Sequence, residues 1–286
     1  MKSIKNSLIY VLLYLLPKNA LSLLMGRVAS CRWPRPFARA LVRAFARAFK
    51  IDVDEAELPI EQYACLQDFF ARRLKEGARP LPALGGSIIS PCDGTMSVTG
   101  PISDGHLFQA KGKTYSLFDL MGSDGFPDRF VGGFYATIYL SPRDYHRFHA
   151  PVDGQIIKTI HIPGSLWPVN RWAVQNIHNL FCQNERIITI IKERTSNLLL
   201  AHIAVGATNV GKIDLAYCDV SALLGHRSKS ITVVPHCATP IDRGAPLGKF
   251  MFGSTIILLC EPGLIKSVTK KAPSFVKMGE VVAQVA

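Results

Sequence analysis

Phe252-Gly253-Ser254-Thr255-Ile256-Ile257-Leu258-Leu259-Cys260 is the stretch whose reading decides the rest. A glycine turn opens it, and the apolar run behind the turn predicts a strand over 255–259. A charged turn, Asp242-Arg243-Gly244-Ala245-Pro246-Leu247-Gly248-Lys249, comes before it. Taken alone, Gly-Ser-Thr at the mouth of a strand is a turn and nothing more. Its neighbours repeat the pattern upstream. Segments 87–89, 95–98, 130–139, 155–162, 186–191, 197–205 and 231–235 are short, β-branched or aromatic, and bounded by Gly, Pro, Asp or Asn. There is no βαβ alternation and no G-x-G-x-x-G. The body from 81 to 286 is therefore expected to be mainly antiparallel β. Two stretches near the end, 243–250 and 277–285, each place a charged turn with Gly before a strand, as hairpins of barrel-sandwich carrier domains do.

The first 80 residues read differently. Residues 1–50 hold ten Lys and Arg and no acid, against a formal charge of +12 for all 286 residues. Phe37, Leu41, Phe45 and Phe49 recur every four residues, and Arg39, Arg43 and Arg47 recur at the same step, offset by two. At about 100° per residue the two stripes lie on opposite faces of one helix. Such a helix either packs its rings on the protein's own core or lies in a membrane interface with guanidinium groups on anionic headgroups. The missing acids and the apolar run Leu8–Leu16 favour the membrane. That run has nine residues, short of the roughly 20 needed to span, and no export cleavage site follows it closely. A further amphipathic helix is expected over 60–74. The fold class is thus α+β, with N-terminal amphipathic helices packed on a mainly antiparallel β body. Nucleic acid is not the expected partner, because no exposed aromatics alternate with base-reading polar groups. Seven scattered cysteines without a C-x-x-C pair indicate free thiols, neither a disulfide framework nor a zinc knuckle.

Several residues can carry chemistry. Asp93 lies in Ser90-Pro91-Cys92-Asp93-Gly94, which is a turn signal in its own right but also offers a carboxylate to orient an imidazole. His146 and His149 lie three apart in Ser141-Pro142-Arg143-Asp144-Tyr145-His146-Arg147-Phe148-His149. They are surface histidines, metal ligands, or a general acid and base. The other six histidines show no ligand spacing, so no metal is expected. Ser254 is outside any G-x-S-x-G elbow. The glycine before it suits attack of the serine oxygen on the preceding carbonyl, since Gly253 leaves that carbon uncrowded.

These segments, with Asp68-Phe69-Phe70-Ala71-Arg72-Arg73-Leu74, Pro163-Gly164-Ser165-Leu166-Trp167-Pro168-Val169-Asn170, Leu180-Phe181-Cys182-Gln183-Asn184-Glu185-Arg186 and Val205-Gly206-Ala207-Thr208-Asn209-Val210-Gly211, resemble the bacterial phosphatidylserine decarboxylases in content and order. Where the usual signature has Leu before Gly-Ser-Thr, this chain has Phe252. The resemblance implies a self-processing enzyme. Asp93, His149 and Ser254 form a charge-relay triad that converts the Gly253–Ser254 bond into chains 1–253 and 254–286, with Ser254 becoming a pyruvoyl group. Decarboxylation of phosphatidylserine through a pyruvoyl Schiff base follows, His146 returns a proton to the product carbon, and neither metal nor PLP takes part. Trp167, Pro168, Val169 and Asn170 are implied to lie near the lipid headgroup, or else form an ordinary Pro-rich turn. A homodimer, peripheral on the cytoplasmic face of the inner membrane, is implied as well. Two alternatives stay open: a lipoyl- or biotinyl-like carrier or lipid-binding β domain, for which Lys277-Met278 is half a motif, and a metal-dependent hydrolase using His146 and His149.

Overall fold

The computed structural model describes residues 17–83, 85–208, 213–219, 230–251 and 254–286. Leu8–Leu16, Asn209–Gly211, Phe252 and Gly253 lie outside them. The first layer is helical. Helix α1 covers Lys18–Ser30 and helix α2 covers Arg35–Phe49. Pro34 precedes α2 and Lys50 ends it in the left-handed conformation. Among the described residues no helix is long and apolar enough to cross a membrane.

Helix α2 does not bury its phenylalanine stripe. It packs through Ala38, Val42 and Ala46, one position further along. These small side chains let the backbone approach the cluster of Ile51, Tyr63 and Phe69. Phe37 and Phe49 are left 54% and 40% exposed, beside exposed Leu24, Met25, Val28 and Trp33 on and after α1. The helix expected over 60–74 is broken. A 3-10 turn at Ile60–Gln62 and a short helix α3 at Leu66–Phe70 replace it, with Cys65 extended between them. Within α3, Phe69 enters the helical cluster and Phe70 stacks on His146.

The β body is built on an eight-stranded antiparallel sheet. Its spatial order is Thr232–Ile241, Gly154–Ile162, Arg186–Glu193, Leu199–Val205, Ser254–Cys260, Phe134–Leu140, Gly94–Pro101 and Ser274–Val276. The strand beginning at Ser254 is buried along its whole length, between Leu199–Val205 and Phe134–Leu140. Strands buried on both faces read as continuous apolar runs, which is why 255–259 was legible as a strand. A smaller sheet, ordered Ile213–Leu215, Pro246–Phe250 and Arg147–His149, packs over it through Phe148 and Phe250. A third sheet joins Ser87–Ile89, Val281–Val285 and Ile265–Val268. The C-terminal strands thus pair with segments far upstream as well as with each other, and no closed barrel forms among the described residues.

Candidate active site

Ser254 is the first residue of its strand and pairs with Leu140. Leu140 ends its own strand and hands the chain directly to Ser141–Tyr145, so the histidine segment grows out beside the serine. Ser254 is fully buried, and its hydroxyl has no hydrogen-bond partner. A buried hydroxyl without a partner costs about 1–3 kcal/mol, and each such group in a native structure calls for an explanation.

The turn from Ser141 is closed by Asp144, whose carboxylate accepts the Ser141 amide and hydroxyl at 2.7 and 2.8 Å. Arg72 reaches in from the segment after α3 and donates to the carbonyls of Arg143 and Asp144 at 3.2 and 3.4 Å. His146 is held by this turn. Its Nε2–H donates to the Ser141 carbonyl at 2.9 Å, its backbone carbonyl accepts from the Phe250 amide, and its ring lies 3.9 Å from that of Phe70. Nδ1 has no partner. Burial, helped by the nearby Arg72 charge, pushes His146 down to about 3, so the ring is neutral.

His149 is fixed from two sides. Nδ1–H donates to the Gly244 carbonyl at 2.8 Å, and Nε2 faces the Tyr145 hydroxyl at 3.1 Å. Burial pushes the Tyr145 phenol up to about 12, so that oxygen is the donor and Nε2 the acceptor. Burial also pushes His149 below its ordinary value, while the Gly244 carbonyl and the Asp93 charge work the other way.

Asp93 is where the geometry departs from expectation. Its carboxylate accepts a fork from Arg79, 2.9 Å from Nε, and the Met278 amide at 2.8 Å. The direct bond to His149 expected of a charge relay is absent. A buried carboxylate takes as many donors as it can reach, and the Arg79 fork supplies two. Asp93 therefore acts on His149 through space, and the Gly244 carbonyl sets the tautomer. The two elements still touch, since the His149 amide donates to the Pro91 carbonyl at 2.8 Å.

Trp167 and Val169 are buried in the core. Asn170 caps the helix Arg171–Asn176. Asn184 clamps the Trp167 backbone and the Gly206 carbonyl. Because Val205 pairs with Thr255, this loop sits at the same end of the sheet as Ser254. Its Trp side chain is nonetheless committed to packing.

The structure also brings in residues that were not singled out in the sequence. Tyr145, Arg72 and Gly244 stand inside quoted segments, but nothing in their spacing marked them. Arg79 is visible only through the contacts it makes. His202 is fully buried, with both ring nitrogens unpartnered, and stacks on Phe148 at 5.0 Å. Burial lowers it to about 3.

The two alternatives find little footing. His146 Nε2 and His149 Nδ1 are committed to two different backbone carbonyls, and no group of three or more metal-ligating residues is found among the described residues. The Lys277 amine pairs with Glu55 at 3.1 Å instead of standing free at a hairpin tip.

Comparison with known proteins points the same way as the buried serine. A family model described as phosphatidylserine decarboxylase matches residues 66–284, and a second, described as PSD, matches residues 3–50. The phosphatidylserine decarboxylase proenzyme of Myxococcus xanthus is 42% identical over 88% of each chain. That of Brevibacillus brevis is 39% identical over 95% of this chain and 96% of its own. That of Pseudomonas aeruginosa is 38% identical over 98% of both. With a match running from the helical layer through the last strand, the chain belongs to the phosphatidylserine decarboxylase family of enzymes.

Proposed function

We propose that this chain decarboxylates phosphatidylserine to phosphatidylethanolamine and carbon dioxide, using a pyruvoyl group made from its own Ser254. The observation that carries this reading is the Ser254 hydroxyl, buried without a partner directly behind the Gly253–Ser254 bond. In the processing reaction, His149 takes the hydroxyl proton at Nε2, the nitrogen that Tyr145 now occupies. The serine oxygen attacks the Gly253 carbonyl carbon, the peptide C–N bond breaks, and an ester joins the two parts. Loss of the Ser254 α-proton and of the ester C–O bond releases chain 1–253 as a carboxylate and leaves a dehydroalanine. Tautomerisation, addition of water and loss of ammonia leave the keto group at the new terminus. Asp93 stabilises the charged imidazole from a distance, as its effect on His149 indicates.

When formed, the pyruvoyl carbonyl supplies the electron sink that decarboxylation of an amino acid requires. The chain's own part is positioning and proton delivery. His146 offers Nδ1, its one nitrogen without a partner, and its buried ring keeps that site away from bulk water. In the neutral ring Nδ1 carries no proton, so it first takes up the one that the substrate's ammonium group gives up on entering the reaction, and we assign it the return of that proton to the product carbon. The loop of Trp167, Pro168, Val169 and Asn170 closes the serine end of the sheet.

The working location that suits this substrate is the cytoplasmic face of the inner membrane, with the protein bound peripherally and, as the resemblance implies, as a homodimer. Exposed Trp33, Phe37 and Phe49 next to Arg39, Arg43 and Arg47 support adsorption to an anionic bilayer.

Mass spectrometry of active protein tests the core of this. Two chains are expected, the smaller of 33 residues and carrying pyruvoyl in place of Ser254. Ser254→Ala and His149→Ala should stay whole, while His146→Ala should cleave but turn over poorly. An active enzyme recovered as one intact chain would overturn the reading.

A further inference from the structure

Two clefts meet at a pair of cations. One, of about 610 Å³, runs along Asp214–Asp219. The other, of about 290 Å³, is walled by the segment from Glu57 to Arg73. Arg147 and Lys249 are the residues that line both. They stand directly opposite each other in the small sheet, and Asp214 stands opposite Lys249 on the other side. Residues paired in this way project on the same face with Cβ atoms about 5 Å apart, and like charges so placed repel. Such a pair calls for an anion.

The protein supplies little of one. Arg147 spends Nε on the carbonyls of Ala71 and Arg72 at 2.9 and 3.3 Å, which fixes the plane of its guanidinium group. Among the described residues no ion pair joins Arg147, Arg72 or Arg73 to a carboxylate. Asp214 forms an ion pair with Lys249 at 3.7 Å, too long for a hydrogen bond, so the amine keeps its donors for a further acceptor. Arg72 is 4% exposed, and two of its three guanidinium nitrogens lack partners.

Position narrows the ligand. His149 lies two residues beyond Arg147 on one strand, on the same face and about 7 Å away. The wall from Glu57 to Arg73 belongs to the helical layer, which elsewhere carries the exposed Trp33, Phe37 and Phe49, and Leu58 in the wall is itself 38% exposed. The clefts also hold carboxylates, namely Asp219, Glu57 and Asp68 in addition to Asp214. A lining of both signs suits a headgroup that carries an anionic phosphodiester and a cationic amine.

We propose that Arg147 and Lys249 form the subsite for the phosphodiester of the phospholipid substrate, with its amino-acid end directed along the strand toward His149. This rests on the decarboxylase reading above and names where that substrate is gripped. A serine headgroup has two carbons between ester oxygen and amine, a span that the strand spacing accommodates.

Dihexanoyl phosphatidylserine, used as a soluble monomer, separates headgroup recognition from membrane adsorption. Lys249→Gln should still be cut into two chains and keep its kcat, with KM raised about tenfold to a hundredfold, the worth of one charge-assisted hydrogen bond. Lys249→Arg should restore KM to within about threefold, by the same measure. A KM unchanged in Lys249→Gln overturns the subsite. So does a fall in kcat alone, or a loss of binding to phosphatidylserine vesicles with the soluble KM intact, which would make Lys249 a surface charge. A wild-type protein that is processed yet inactive on both soluble and vesicular phosphatidylserine would instead refute the decarboxylase reading.

Discussion

At the scale of single residues, the site is held by burial as much as by hydrogen bonds. His146 and His202 are both fully enclosed and both pushed from 6.5 to about 3. Between those values the unfolded chain binds protons that the folded chain refuses, so stability rises with pH across the window. Their contribution is complete above about 6.5 and is lost as the pH falls toward 3, at about 1.4 kcal/mol per pH unit for each histidine. His202 has no partner to lose, whereas His146 is tied to Ser141. His202→Leu is therefore expected to equal or exceed wild type in urea midpoint at pH 7 and to lose less stability at pH 4.5. An unchanged acid slope would show that His202 titrates freely. Neither burial nor orphaned nitrogens could be read from the sequence, where His202 is one histidine within an apolar strand. His146 and His149 stood out only because polar residues crowd around them.

At the scale of elements, α2 is the informative case. Its period was legible, and Arg43 and Arg47 are exposed, but Arg39 next to buried Ala38 is half-buried with its Nε enclosed. Which apolar stripe faced inward was not legible, because Ala38, Val42 and Ala46 are weak hydrophobes that win by size. They allow close approach to the Tyr63 and Phe69 cluster, and Phe37 and Phe49 are left outside. Arg43 already pairs with Glu61 on the surface, and an exposed pair of this kind contributes little. Replacing Arg39, Arg43 and Arg47 by Gln should weaken sedimentation with anionic vesicles by about fivefold per charge. The effect should vanish on neutral vesicles. Phe45 meets Phe70, and Phe70 stacks on His146, so the same element packs through to the site. Phe69 and Phe70 are neighbours within α3, about 100° apart around its axis, which sends one ring to the helical cluster and the other to His146.

At the scale of the whole molecule, one arginine ties the helical region to the β body. Arg79 is buried and forks onto both Glu55 and Asp93. Its hydrogen bond to Glu55 holds that carboxylate down near 2. Lys277, close to the last strand, joins the same Glu55. The cluster thus draws together residues from 55 to 277. Removing one partner of a buried charge group costs about 3–5 kcal/mol, since the other charge is left uncompensated. Arg79→Met is expected to lower unfolding free energy by that amount in urea titrations and, on the proposed processing reaction, to slow appearance of the two chains as Asp93 is released. A loss under about 1 kcal/mol would place the cluster among ordinary surface pairs.

The sequence by itself determined the α+β class, the basic helical start, the buried strand behind Ser254 and the set of reactive residue types. These are local matters of period, charge and turn chemistry, set by neighbours in the chain. Only the tertiary structure decided who touches whom. It gave Asp93 to Arg79 and His149 to Gly244 and Tyr145, and it set Lys249 beside Arg147. Those pairings follow from strand register and from competition among donors for a few buried acceptors. Both are settled between segments far apart in the chain, where no short pattern records the outcome.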